Sequence, residues 1–251
     1  MTDLRPATIV LLHGATLNGR MWDPAVSILS PGFTTLTPDL PGHGRGRDGP
    51  FSIDRAVAQV AALIERESPA GAVVAGDSLG GCTAMALAAA HPELVKGLVL
   101  SGCTAEFSGL LGLMARAQAR LTGALTKLFG PERLLARTMQ RVPKIFPRAP
   151  FEAIGGGGGL RLEAWGEAVF ELSGRRFLGP LARYPGPILL VNGEMDRPNR
   201  KGEPRFLAAF PRAKLVVFEG APHGVSLFDP PRFGELVRDF ARSLGPEASS
   251  T

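Results

Sequence analysis

Short apolar, β-branched runs alternate with helical patterns along most of the chain. The strand-like runs cover residues 8–12, 34–38, 71–75, 95–101, 187–192 and 215–218. Their apolar residues are nearly continuous, the signature of strands covered on both faces. Residues 22–29, 54–67, 78–90, 201–210 and 231–244 carry helix-like patterns between and after them. The alternation predicts an α/β fold, a doubly wound, mostly parallel six-stranded sheet with helices on both faces. Right-handed crossovers then set every strand's C-terminal end on one edge. Sites in open α/β sheets form on that edge, so the residues just after each strand are the candidates.

The alternation stops between Ser101 and Tyr184, where helices and loops follow with no strong strand signal. This predicts an α/β core of residues 1–103 and 185–251, interrupted by a helical cap at 104–184. In the first cap helix, 107–129, Leu111, Met114, Leu121, Leu125 and Leu128 are spaced roughly for one face. Pro131 suits the first turn of a second helix running to Arg141. Pro143, Pro147 and Pro150 break the pattern, and 160–172 is helical again. Five consecutive glycines, 155–159, read as a flexible loop or hinge. No Lys-Ser/Thr follows them, so they are not a phosphate cradle.

Composition narrows the class. The chain has 251 residues, 45% hydrophobic and 20% charged, which fits one large domain with a sizeable core and excludes general disorder. No stretch is long and apolar enough to span a bilayer. The first residues, Met1–Pro6, lack the apolar block and cleavage site of a secretory leader. Two cysteines, Cys82 and Cys103, cannot make a disulfide framework or a Cys-only zinc site. A cytoplasmic location is the simplest expectation. The net charge is +5, but eight basic residues (Arg116, Arg120, Lys127, Arg133, Arg137, Arg141, Lys144, Arg148) against Glu132 alone put +7 on part of the cap and leave −2 elsewhere. Aromatic residues are not interleaved with that run, which argues against a nucleic-acid platform. The expected partner is a small molecule, with no nucleic acid and no membrane, and the chain a monomer or homodimer. A cationic roof over the cleft can attract an anionic substrate; the same arginines can also simply solubilise leucine-rich helices.

The strongest chemical signal is Gly76-Asp77-Ser78-Leu79-Gly80, between an apolar strand and an alanine-rich helix. This is a nucleophile elbow in its required context. The turn is so tight that side chains two residues either side of the serine would meet neighbouring backbone. Ser78 Oγ is thereby presented at a helix N-terminus, where the Leu79 N–H can meet developing negative charge. A serine hydroxyl needs a base. Of four histidines, His91 lies at the far end of the elbow helix, His13 reads as shaping a loop, and His43 as a turn residue. His223, directly after the last strand, is the base. An acid must orient it. Asp196, 27 residues earlier and after the neighbouring strand, is preferred over Glu194 and over the main rival Glu106.

The order Ser78, Asp196, His223 resembles the α/β-hydrolase family. So do the strand and His-Gly loop of residues 8–14, Trp22, the loop Pro38-Asp39-Leu40-Pro41-Gly42-His43-Gly44-Arg45-Gly46, and the turns carrying Asp196 and His223. The resemblance implies a second oxyanion N–H from Ala15. The usual first two strands have no room before residue 8, so an all-parallel six-stranded core is expected. Asp77 is an unusual neighbour for the nucleophile. It reads as a solvated loop residue, although a carboxylate there can tune His223 upward. Cys82 and Cys103 read as buried packing thiols. Together these features imply a cofactor-free and metal-free serine hydrolase cleaving a small carboxylic ester through an acyl-enzyme. Carbon–carbon hydrolysis, lactonase, thioesterase and perhydrolase chemistry share the scaffold, and a ligand-binding protein on that scaffold is the non-enzymatic alternative.

Overall fold

A computed structural model describes residues 7–45, 49–106 and 108–245. The leader reading of Met1–Pro6, Gly46 of the second loop, Phe107 at the head of the first cap helix and the tail 246–251 lie outside the described residues.

The six strands are β1 (Thr8–Leu12), β2 (Thr34–Leu36), β3 (Ala72–Asp77), β4 (Val95–Ser101), β5 (Ile188–Gly193) and β6 (Lys214–Phe218). They form one sheet in the order β2-β1-β3-β4-β5-β6, and every neighbouring pair is parallel. The chain winds from β1 outward to β2, then returns to place β3 on β1's other side. The crossovers diverge there, opening a crevice at the C-terminal ends of β1 and β3.

Helices α1 (Asp23–Leu29), α2 (Ile53–Glu67) and α3 (Leu79–Ala90) precede β4. Six more follow between β4 and β5: α4 (Gly109–Phe129), α5 (Pro131–Met139), α6 (Val142–Ile145), α7 (Phe151–Gly156), α8 (Glu163–Leu172) and α9 (Leu178–Leu181). The chain then adds α10 (Arg197–Ala209), α11 (Val225–Phe228) and α12 (Pro230–Ser243).

Central strands β1, β3 and β5 are buried throughout, and edge strands β2 and β6 are partly exposed. Successive side chains of a strand point to opposite faces. Val10, Leu12, Val74, Leu98 and Leu190 therefore meet α2, α3 and Phe206 of α10, while Ile9, Leu11, Val73, Val99 and Leu189 meet the layer of α1 and α12. There Trp22 stacks on Phe233 at 5.5 Å between centroids. α3 is apolar nearly all round because it lies in the middle of its layer. α10 begins four residues earlier than its apolar pattern suggests. Its first turn, Arg197-Pro198-Asn199-Arg200, is polar and reads locally as loop, although proline is at home there.

The insertion between β4 and β5 is fastened to the core by polar staples. Glu167 and Glu171 of α8 accept from the backbone N–H groups of Phe51 and Ile53, at 2.9 and 3.1 Å, at the N-terminus of α2. Carboxylates are favoured there by the helix dipole. Arg161 pairs with Glu167 and donates to the Gly42 carbonyl. Asn18 donates to the Ile154 carbonyl at 2.8 Å.

Three local expectations need correction. The glycine run is not simply a loop: Gly155 and Gly156 close α7, and the next two glycines pack on the core. A Cβ on Gly157 would lie 2.6 Å from Arg20 Cγ, and one on Gly158 would lie 2.6 Å from the Gly44 backbone. Pro143 falls where the helix is interrupted after Met139, but it also starts a new one, sitting in the first turn of α6. Most of the described leucines of α4 face away from the protein. Ala115 and Ala119 make the contact with Val169 and Trp165 of α8, Leu121 and Leu128 point to solvent, and Met114 stands exposed at the edge of a cleft. The Leu111 side chain is outside the description.

Two glycines give opposite expectations. A Cβ on Gly202 of α10 would lie 2.2 Å from the Thr104 carbonyl oxygen, whereas one on Gly123 of α4 meets nothing within 4 Å. Gly202→Ala is expected to lower unfolding stability by about 2 kcal/mol or more through this overpacking. Gly123→Ala should raise it by up to ~1 kcal/mol from helix propensity. Urea unfolding midpoints of the two variants check the ranking.

Candidate active site

The crevice at the β1/β3 switch is where the chemistry-bearing residues meet. Ser78 links β3 to α3 with φ 52° and ψ −110°, a left-handed conformation costing a side-chain-bearing residue about 1–3 kcal/mol. The glycines around it are required by close approach. A Cβ on Gly76 would lie 2.3 Å from the Gly80 carbonyl oxygen, and one on Gly80 would lie 2.1 Å from that of Leu12. The Ser78 N–H donates to the Ser101 carbonyl at 2.7 Å, tying the elbow to β4.

His223 arrives from the loop after β6, and its Nε2 lies 3.1 Å from Ser78 Oγ. Its Nδ1 lies 2.7 Å from Oδ2 of Asp196, which follows β5. Asp196 is buried, while about half of the imidazole faces the cleft. Asp196 therefore accepts from Nδ1–H, and Nε2 is left to accept from the serine hydroxyl. Burial alone would lower the His223 pKa, but the Asp196 hydrogen bond and charge, with the charge of Asp77, raise it above its usual value. Burial also works against Asp196 ionising. The His223 and Asn199 contacts outweigh it and hold Asp196 below the usual carboxylate range.

The other histidines are accounted for. His13 is fully buried, its Nε2 accepting from the Leu40 N–H at 2.9 Å and its Nδ1 2.9 Å from the Gly14 carbonyl. Burial, with the nearby His43, lowers its pKa to about 3, so it stays neutral. It joins the loops after β1 and β2. His43 is buried with Nδ1 3.0 Å from the Pro41 carbonyl, and burial lowers its pKa as well. His91 ends α3, beside Glu93. Glu106 pairs with Arg205, and Glu194 accepts from the Gly220 N–H at 2.8 Å. Neither is joined to His223.

Asp77 corrects the sequence reading. It is not solvated but buried, at 2% exposure. Ser101 Oγ donates to its Oδ1 at 2.7 Å, and the Ser226 hydroxyl also faces it. Its Oδ2 lies beneath the loop after β1, 3.4 Å from where a Cβ on Gly14 would stand. Burial raises its pKa, against the opposing charge of His223 and the two hydroxyls.

A set of positioning residues was not anticipated. Asn199 Nδ2 donates to Asp196 Oδ2 at 2.8 Å, and its Oδ1 accepts from the Ala105 N–H at 2.8 Å. Thr104 Oγ1 donates to the Asn199 carbonyl at 2.7 Å. Asn192 donates to the buried Glu203 at 2.7 Å and accepts from the Gly102 N–H at 3.1 Å. The available signals were Asn192, polar within an apolar strand, and Asn199, one helical turn past Asp196.

Ser78, His223, Asp196 and Asn199 border a cleft of about 660 Å³. Ala15, Ser78, Leu79, Asp196 and His223 lie on its core side, and Ala115 and Val169 of the insertion face them. Cys82 and Cys103 are free, buried and also border it. Burial pushes the Cys82 thiol up to about 12. None of the eight basic residues between Arg116 and Arg148 borders the cleft. The basic residues of the insertion thus do not line the cleft. Among the described residues no group of side chains suits a metal ion.

A strained serine between strand and helix, faced by a histidine and an acid from later strands of a parallel sheet, defines the hydrolase class of α/β proteins. The sequence profile of the alpha/beta hydrolase family matches residues 9–236, and the chain belongs to that family. Pimeloyl-(acyl-carrier protein) methyl ester esterase of Yersinia pseudotuberculosis is 28% identical, across 93% of this chain and 92% of that protein. Lipase LipV of Mycobacterium tuberculosis is 43% identical over 96 residues, but the match spans only 36% of that protein. A carboxylesterase structure from Nitrososphaera gargenis superposes with a TM-score of 0.79 at 19% identity, covering 97% of this chain and 93% of its own. The enol-lactonase of Burkholderia xenovorans superposes at 0.77 and 21%, covering 96% and 94%. At these identities the two structures share the fold.

The two carboxylates beside His223 generate a titration prediction. The imidazole midpoint, followed by NMR, is expected above the ordinary 6.5. Asp77→Asn removes a negative charge that favours the imidazolium, so the midpoint should fall. An unchanged midpoint would mean that Asp77 is neutral over that range.

Proposed function

We propose that the protein is a cofactor-free serine esterase that cleaves carboxylic esters with an apolar acyl or alkoxy group. The reading rests above all on the hydrogen-bonded line from Ser78 Oγ through the His223 ring to Asp196 inside one cleft. It is supported by the esterase and lipase names of its relatives. The apolar character of the cleft, with alanine, valine and leucine side chains around the nucleophile, supports the substrate class.

In this mechanism Ser78 Oγ attacks the ester carbonyl as His223 Nε2 takes its proton. Asp196 holds the ring in the required tautomer and stabilises the imidazolium. The N–H groups of Ala15 and Leu79 receive the oxyanion, each such donor contributing about 10²–10³ in rate. His223 gives its proton to the departing alkoxide, leaving an acyl-Ser78. Water, deprotonated by His223, then releases the acid and restores the serine. Two free, buried thiols fit a reducing compartment such as the cytoplasm.

Ser78→Ala and His223→Ala should each cut turnover of a nitrophenyl ester by roughly 10⁴–10⁶, because such residues act as a unit. Asp196→Ala should cost on the order of 10⁴, while Glu106→Ala, which removes a surface ion pair, should stay within about threefold of wild type. Retention of a tenth of the activity by Ser78→Ala would remove the nucleophile assignment.

The base must be neutral, so kcat/KM falls as pH drops through the His223 pKa. With that pKa raised, the acid limb is expected above 6.5. Asp77→Asn should move the limb to lower pH in step with the imidazole titration.

A further inference from the structure

The first long helix of the insertion is built inside out. In α4 the small residues Gly112, Ala115 and Ala119 turn inward. At 100° per residue, Leu110, Ala117, Leu121 and Leu128 project almost opposite to them, with Met114 and Leu113 on either flank. Leu110, Met114, Leu121 and Leu128 are 73, 61, 60 and 74% exposed. The ridge runs about 27 Å along the helix at 1.5 Å per residue. Scattered surface leucines need no explanation, but a continuous apolar stripe of this length marks a contact.

Charge identifies what it contacts. Arg116, Arg120 and Lys127 flank the stripe along one side of α4. Five further basic residues follow between Arg133 and Arg148, and only Arg148 of the eight has an ion pair among the described residues. An aliphatic ridge edged by cations is the pattern of a helix lying in the surface of an anionic bilayer. A second copy fits poorly, since it would set one +7 segment against another. Met114 belongs both to the ridge and to the cleft wall, and the 65% exposed Met195 stands on the cleft as well. Apolar side chains thus lead from the ridge to Ser78.

We propose that the outward face of α4 is a docking surface for an anionic lipid interface, laid against the headgroup region with the cleft mouth beside it. The sequence reading, which found no spanning segment, expected no membrane partner. No described helix is long and apolar enough to cross a membrane, and a surface contact requires none. The proposal does not depend on the esterase reading, because docking is measured without turnover.

The test is co-sedimentation of the full chain with vesicles of phosphatidylcholine alone and of equal parts phosphatidylcholine and phosphatidylglycerol. Binding is expected to be at least about tenfold stronger to the anionic vesicles and to weaken as salt rises from ~50 to ~500 mM. The pair Leu121→Gln and Leu128→Gln, neither on the cleft, should lose that binding while circular dichroism and ester turnover stay as in the wild type. Arg116→Gln with Lys127→Gln should remove the preference for anionic vesicles. Ser78→Ala should bind as the wild type does, which separates this result from the fate of the esterase assignment. Failure of the wild type to bind either vesicle overturns the proposal, as does undiminished binding by the leucine variants. A concentration-dependent dimer abolished by those variants, without vesicle binding, would assign the face to a second copy. Binding to poly-glutamate but not to vesicles would assign it to an acidic protein.

Discussion

The site depends on one steric constraint, the contact of two glycines with backbone where β3 turns into α3. Gly76 lies against the Gly80 carbonyl and Gly80 against that of Leu12, so β1, β3 and α3 approach more closely than any side chain would allow. The chain between them is forced through a positive φ at Ser78. The strain is held by burial on both sides and by the bond from the Ser78 N–H to Ser101 on β4. It sets the serine hydroxyl at the edge where the crossovers diverge and the cleft opens.

The side chains facing that hydroxyl are held in turn by a second layer. Asp196 is fixed by Asn199, and Asn199 by the backbone of the loop after β4. Asn192 joins the same region to the buried Glu203. A buried carboxylate is tolerable when its lone pairs are met, and this network meets those of Asp196. Asp77 is a contrasting case, buried with the Ser101 hydroxyl as its hydrogen-bond partner. Two acids of unlike surroundings therefore act on one imidazole.

The insertion is anchored unevenly. Its α8 is bound to the core by carboxylates at the N-terminus of α2 and by Arg161 on the Gly42 loop. Its α4 is attached through alanines to α8 and leaves its large aliphatic side chains in solvent. The insertion thus closes the cleft with one face of α4 and presents the other outward.

The pattern of residues determined much of this by itself. Near-continuous apolar runs require strands covered on both faces, which made the sheet parallel and its C-terminal edge the place to search. The glycine spacing around Ser78 expresses a steric demand that is local in the chain, and Asp196 and His223 each follow a strand directly, so all three were legible. Asp77, the leucines of α4, the glycine run and Asn199 were not. A residue's type and periodicity say that a face is apolar or that a carboxylate is present, but not what comes to cover it. Ser101 reaches Asp77 from 24 residues away, and Asn18 receives the end of α7 from 136 residues away. Such contacts form only when separate elements pack, and burial, which raises the Asp77 pKa and decides which face of α4 is covered, is a property of that packing.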